Sequence, residues 1–467
     1  MLNTYFCDEG GICVQQKNTF TEGPILAPLI RFTLPIILAL LLQAMYGAVD
    51  LMVVGQFAGD AGSVSAVSTG SSMMNLPMMI IFGLAMGATV LIGRKIGEEQ
   101  FEEAGEIVGA SVALFAVVAA IFTVAMLLGC RPFARLMRVP EEAFTYTIQY
   151  VMICAAGTVF IVAYNVLSAI FRGLGNSTLP LIFVAIACVV NIAGDLLLVA
   201  GLRLGAAGAA MATVAAQAVS VVLSLAIIRR TKLPFHFQRR YIRFNGAHIG
   251  RILQLGAPIA LQDTLTNLSF LVVNAVINNM GVITSAGYGV AQKVISFILL
   301  IPSAFGSSMS AFVAQNIGAR KPKRAQRAMI YGMASALCVG FVMFLMSFFC
   351  GDVLSRFFSQ TPEVVAASAD YLKGFSFDCM MVCLLFCFTG YFNGCGHTMF
   401  VMAQGLVGAL LVRMPVAYLM SLRPEPTLFS IGLATPLASL VSILLCIVYF
   451  LRTRAALPSG EFDALSR

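Results

Sequence analysis

The chain is 467 residues long, 59% of them hydrophobic and only 11% charged. Soluble domains carry about 25% charged residues, so an ordinary soluble protein is excluded and the solvent must be lipid. The net charge of +8 gathers in short connections between apolar runs, where it orients a chain in a bilayer rather than meeting nucleic acid.

A membrane-crossing helix takes about 20 apolar residues, and with its turn roughly 35 to 40, which leaves room for about twelve spans. Met1 to Gly23 is polar, cysteine-bearing and weakly acidic, and does not read as a cleaved signal peptide. Apolar runs then follow at roughly 31–57, 63–92, 106–130, 143–170, 177–200 and 206–228. Six more lie at roughly 251–279, 286–315, 328–350, 365–392, 398–421 and 428–451. The interval from Arg229 to Arg251 carries seven basic residues and divides the chain six plus six. The termini and even-numbered connections hold 20 Lys and Arg against 6 in the odd-numbered ones. That bias places both termini in the cytoplasm.

An internal duplication runs through these spans. A shift of 221 residues carries Gly97 to Gly318, Tyr150 to Tyr371, and Phe171, Gly173 and Gly175 to Phe392, Gly394 and Gly396. Six spans per repeat is an even number, so the halves insert in the same orientation, an arrangement that puts a substrate cavity between two bundles. The predicted fold is an all-α polytopic membrane protein, twelve helices in two pseudo-symmetric six-helix lobes around a central cavity. Its parts are an N-terminal cytoplasmic segment (1–23), an N-lobe (24–229), a basic cytoplasmic linker (230–250), a C-lobe (251–452) and a cytoplasmic tail (453–467).

A carboxylate within lipid is costly enough to be a functional candidate by default. Asp50 lies late in the first span with no basic neighbour in its run. Asn191 and Asp195 are four apart in the fifth, which stacks them on one helix face and offers hard oxygen ligands to a small cation or a mobile proton. Thr213 in the sixth span adds a hydroxyl. The same residues also suit interhelical hydrogen bonds that only hold spans together. Asp263 and Asp378 are secondary candidates, with Lys293 a basic partner for Asp263 and Arg413, just before Pro415, suited to backbone carbonyls opened by the proline or to a buried acid. Most of the 24 Met and 35 Phe are packing or lipid-facing residues. Met73, Met74, Met78, Met79, Phe341, Met343, Phe344 and Met346 are those that would line a soft cavity.

No phosphate-binding loop, paired Cys-x-x-Cys or His-Glu-x-x-His occurs, so nothing points to an enzyme, and the driving force is expected from an ion gradient. No cofactor is expected beyond the coupling ion, H+ or Na+.

Pro35, Gln43, Val49-Asp50 and Gly55 in the first span resemble the first helix of multidrug and toxic compound extrusion (MATE) transporters. Phe171-Arg-Gly-Leu-Gly-Asn-Ser-Thr178 and its twin Phe392-Asn-Gly-Cys-Gly-His-Thr398 resemble a family motif at the junction of helices four and five. The likeness extends from about Pro24 to Arg454 and lies nearer the DinF-like branch than the NorM-like one, because the place of the latter's helix-seven acid is Thr266. It implies export of organic, often cationic, compounds in exchange for H+ or Na+ by alternating access. It also implies a cation site at Asp50, Asn191, Asp195 and Thr213, able to hold Na+, with Pro35 and Gln43 gating the first helix. The expected partners are small organic substrates and membrane lipids, without nucleic acid, for a monomer in a bacterial plasma or inner membrane. The alternative, a flippase or exporter of a lipid-linked precursor or polysaccharide, calls for a cavity lined with several basic residues, and only Lys293, Lys373 and Arg413 fall inside spans.

Overall fold

The computed structural model describes residues 6–7, 13–14, 20–57, 61–230, 234–235, 238–424 and 426–455. Most of the predicted N-terminal segment (1–23) and of the tail (453–467), with Lys17, Lys232, His236 and Arg467, lies outside the described residues. Apart from a two-residue strand pair, Phe6–Cys7 against Cys13–Val14, the regular elements are helices. Hydrocarbon cannot hydrogen-bond a free backbone, and a helix satisfies its own.

Each predicted run is helical. In the first half α1 spans Leu26–Phe57, α2 Ala61–Gly97 and α3 Phe101–Leu136. The fourth span is α4 (Glu141–Ala156) and α5 (Thr158–Gly173), and the fifth and sixth are α6 (Thr178–Asp195) and α7 (Gly205–Arg230). In the second half α8 spans Gly246–Asn278, α9 Val282–Ile298, α10 Leu300–Gly318 and α11 Pro322–Phe349, followed by the short α12 (Gly351–Arg356). Then come α13 (Pro362–Cys395), α14 (Thr398–Leu406), α15 (Met414–Ser421), α16 (Leu428–Gly432) and α17 (Ala434–Ala455). Among the described residues eleven helical stretches are long and apolar enough to cross a membrane, and α4 with α5, bent by 52°, makes twelve. The bend falls at Gly157, where a Cβ would stand 2.4 Å from Val214 of α7.

Two compact units result, one of Met1–Thr264, Ser307–Ala328 and Asn393–Thr398, the other of Leu265–Gly306, Met329–Phe392 and Met399–Arg467. In the first unit one apolar core gathers Ile81, Phe115, Phe171 and Phe183, and a second gathers Val54, Met73, Met74, Val151 and Val199. In the second unit Tyr288, Met343, Tyr371 and Phe375 share a core. Met73, Met74 and Met343 are therefore interior packing residues and not cavity lining, while Phe341 and Met346 are exposed on α11, as lipid-facing side chains would be.

The duplication is built into the backbone. Gly175 and Gly396, twins in the repeated motif, both adopt the left-handed conformation, at φ 82° and 89°, which glycine reaches without a Cβ penalty and which ends a helix. Within the first unit α2 and α10 meet through a second twin pair. A Cβ on Gly97 would lie 2.0 Å from the Gln315 carbonyl oxygen, and one on Gly318 2.0 Å from that of Arg94. Two helices in lipid have no hydrophobic force between them, so close backbone approach through small residues supplies the packing.

The segment before α1 is fastened in the same unit. The Phe20 ring is buried between Phe32 and Phe312, with centroids 5.0 and 4.9 Å away. Arg324 donates to the carbonyl oxygens of Phe20, Glu22 and Gly23 at 2.9, 3.0 and 2.6 Å, while Asn316 donates to Phe20 and Lys321 to Thr21.

The glycine contact predicts a contrast. Gly97→Ala forces α2 from α10 and is expected to cost about 1–3 kcal/mol, the usual penalty of overpacking. Gly129→Ala, at a position with nothing within 4 Å, should leave the protein unchanged or slightly more stable. Melting temperatures of the two purified variants check this, and equal values would disprove the role given to the glycine.

Candidate cation site

Three helices of the first unit bring the predicted residues together. Asp50 sits in the last two turns of α1, Asn191 and Asp195 on one face of α6, and Thr213 on α7. The α6–α7 approach is close because Gly194 has no side chain; a Cβ there would meet that of Ala212 at 3.0 Å. Thr213 Oγ1 donates to Asp50 Oδ2 at 3.2 Å, and Asn191 Nδ2 donates to Thr213 Oγ1 at 3.5 Å. The carboxyl groups of Asp50 and Asp195 face each other within hydrogen-bonding range.

Asp50, Asn191 and Asp195 are buried, Asp195 completely, and Thr213 partly. Four oxygens converging there have no hydrogen-bond donor: Asp50 Oδ1, Asn191 Oδ1 and both of Asp195. Two facing carboxylates offer acceptors only, so the contact between them becomes a hydrogen bond only when one carries a proton. The donor set suits a shared proton, and equally a hard cation held by oxygens. The positions that would hold Na+ are Asp50, Asn191, Asp195 and Thr213.

The surroundings contain groups the sequence reading did not select. Tyr46, Tyr150, Cys154 and Cys188 lie within electrostatic range of Asp50, and Tyr150 shares a hydrogen bond of 3.1 Å with Ser71. Tyr46 stands one turn before Asp50, a spacing readable in the sequence; Tyr150 and Cys154, on α4, carry no such signal. A π-helical segment, Leu196–Gly201, begins directly after Asp195, and such segments recur at functional sites. The second half has its own, Val407–Arg413, at a different depth of the corresponding span.

Pro35 lies inside a continuous α1, and Gln43, two turns before Asp50, is hydrogen-bonded to Tyr46. Asp263 is half-buried on α8 in the first unit, whereas Lys293 is exposed on α9 in the second. In the second unit Asp378 is buried, accepts from the Ser439 hydroxyl and lies in the field of Arg413. Arg413 donates from Nη1 to Ser269 Oγ at 2.9 Å and covers the Phe270 ring, 4.1 Å from its centroid. The carbonyls below Pro415 are thus not its partners. Asp378 has Arg413 near it, whereas among the described residues no cation acts on the Asp50–Asp195 pair.

A duplicated, all-helical chain with twelve spans and a buried polar cluster in one bundle has the architecture of a polytopic membrane transporter. The MatE family model matches the chain twice, over residues 35–197 and 258–419, and the chain belongs to that family. It is 27% identical over 403 residues to the Bacillus subtilis protein named "Probable multidrug resistance protein YpnP", spanning 86% of this chain and 90% of that one. Identity to the multidrug export protein MepA of Staphylococcus haemolyticus is 24% over 404 residues, 84% and 87% of the two chains. Identity to a FAD transporter of Shewanella oneidensis is 24% over 368 residues, 77% and 80%. The fold matches a MOP superfamily transporter from Pyrococcus furiosus at a TM-score of 0.88, with 18% identity over 93% of this chain and 97% of that one. It matches the outward-facing conformation of a multidrug resistance MATE family transporter at 0.87, with the same identity and coverage. The family and these homologues are transporters rather than enzymes.

The hydroxyl of Thr213 donates to Asp50 Oδ2, and the Asn191 side chain also lies within reach of that carboxyl. Thr213→Val, nearly isosteric, should cost about 1–3 kcal/mol through the acceptor left unsatisfied, seen as a lower melting temperature, while Thr213→Ser retains the wild-type value. A Val variant as stable as the wild type would show that the bond contributes nothing.

Proposed function

We propose that the protein is a secondary active multidrug exporter, moving organic and often cationic compounds outward in exchange for H+ or Na+, with Asp50, Asn191, Asp195 and Thr213 as the coupling site. The observation carrying this reading is the set of four oxygens without a hydrogen-bond partner on Asp50, Asn191 and Asp195, buried together on two helices, α1 and α6, with no basic side chain among the described residues bonded to them. A buried pair of carboxylates without a counter-charge is unfavourable, so the pair takes up a proton or a small cation. The names of the relatives YpnP and MepA support the substrate class.

Exchange follows from competition. When the ion arrives from outside it neutralises the acids, the attraction for a cationic substrate falls, and the substrate leaves; release of the ion to the cytoplasm restores the charge. A ligand that favours one state shifts the equilibrium only by its differential affinity, which the carboxyl pair supplies by being charged in one half of the cycle and neutral in the other. Pro35, which leaves the carbonyl one turn below it without an N–H partner, is the point at which α1 would bend or repack. The distribution of basic residues supports an orientation with both termini on the cytoplasmic side of a bacterial plasma or inner membrane.

Ethidium efflux from everted vesicles tests the reading, with a pH gradient and a Na+ gradient imposed separately. Efflux should follow one gradient and fall at least about tenfold, a loss of roughly 1.4 kcal/mol or more, in both Asp50→Asn and Asp195→Asn. Full efflux and full ion dependence in the two variants would rule the scheme out. Ethidium binding to the purified protein should also weaken as pH is lowered, because protonation discharges the acids that attract the cation.

A further inference from the structure

A second polar cavity lies in the first unit, between α1, α5 and the start of α6, and none of the coupling residues lines it. One face of α5 supplies Tyr164, Asn165, Ser168 and Arg172 at helical spacing; Gln43 comes from α1 and Ser177 from the turn before α6. The remaining wall is apolar, including Ile36, Phe82 and Val184. Among the described residues no Asp or Glu lines this space, and the only electrostatic neighbour of the Arg172 guanidinium is the Tyr164 phenol. Arg172 Nε is buried without a hydrogen-bond partner; the Ser168 hydroxyl lies beside the Tyr164 phenol, and the Asn165 amide spends one of its two N–H groups on the Ile161 carbonyl at 2.8 Å.

These groups define a ligand of opposite charge. A guanidinium has donors and no acceptor, and hydroxyls and side-chain amides add further donors around it. A cation turned into a low-dielectric pocket without an acid is costly in the same way as the buried acid pair of Asp50 on α1 and Asp195 on α6. The space is about 40 Å3. At about 10–15 Å3 for a water-sized particle, it takes a halide with a water or two and excludes a phosphate monoester, a lipid headgroup or a drug.

We propose that this cavity is a binding site for a small inorganic anion of the halide class, with chloride the expected occupant, held by Arg172, Ser168, Asn165 and Gln43. The site is independent of the ion that drives transport, since it uses none of Asp50, Asn191, Asp195 or Thr213.

The test is made on the full-length protein purified in detergent and exchanged into sodium gluconate. Thermal unfolding, followed with a thiol-reactive dye that reports the buried cysteines, is measured as gluconate is replaced by chloride, bromide or sulfate at constant Na+ and ionic strength. Chloride and bromide should raise the melting temperature saturably and sulfate should not. Arg172→Gln should shift the apparent dissociation constant upward at least about tenfold, and crystals grown in bromide should show an anomalous peak within hydrogen-bonding distance of Arg172 and Ser168. Should Arg172→Gln fail to fold, Ser168→Ala and the wild-type bromide peak decide the matter. Equal melting in chloride and gluconate, a halide response untouched by Arg172→Gln, a sulfate response equal to chloride, or bromide-free density occupied by water alone would each overturn the proposal.

Discussion

Lipid offers no hydrogen bonds, and every feature described above answers to that one constraint. Backbone groups must be satisfied within helices, so the described residues between Leu26 and Ala455 are mostly helical. Helices in hydrocarbon also gain nothing from hiding apolar surface from one another, so they hold through close contact and polar bonds. The contact of Gly97 with the Gln315 carbonyl and of Gly318 with that of Arg94 is the first kind. Thr89 shows the second: its hydroxyl bonds both the Ala85 carbonyl of its own helix and the Ala169 carbonyl of α5.

The same constraint gives buried charge its meaning. In water an aspartate is ordinary; in a bundle it is tolerated only with a partner or a task. The second unit gives its acid a partner, since Asp378 bonds Ser439 and lies near Arg413. Among the described residues the first unit combines two facing acids with no base bonded to them and, on α5, an arginine lining a separate cavity that no acid lines. Keeping opposite charges apart in one bundle costs stability.

Much of this was legible in the chain itself. The twelve spans could be placed because hydropathy is a local property, and the duplication because Phe-x-Gly-x-Gly recurs at a fixed distance with a physical reason at Gly175 and Gly396. The Asn191–Asp195 spacing put two groups on one helical face. Less visible were the bend at Gly157, set by the approach of Val214, and the partners of Tyr150. Met73 and Met74 looked like candidates for a cavity, yet they pack in a core, because composition does not say which face of a helix turns inward. Arg413 pointed either to proline-freed carbonyls or to a buried acid; it lies in the field of Asp378 and bonds Ser269, 144 residues away.

By itself the sequence determined the solvent, the number of spans, the internal repeat and the few polar residues for which lipid demands an explanation. These rest on composition and on spacings within single helices. The tertiary structure decided which of those residues meet: Asp50 with Thr213 across 163 residues, Asp195 with Asp50, and Arg172 with Gln43 around a shared cavity. Such meetings depend on how closely one helix lies against another, which is fixed by glycines and small side chains on several helices at once and so cannot be read from any one of them.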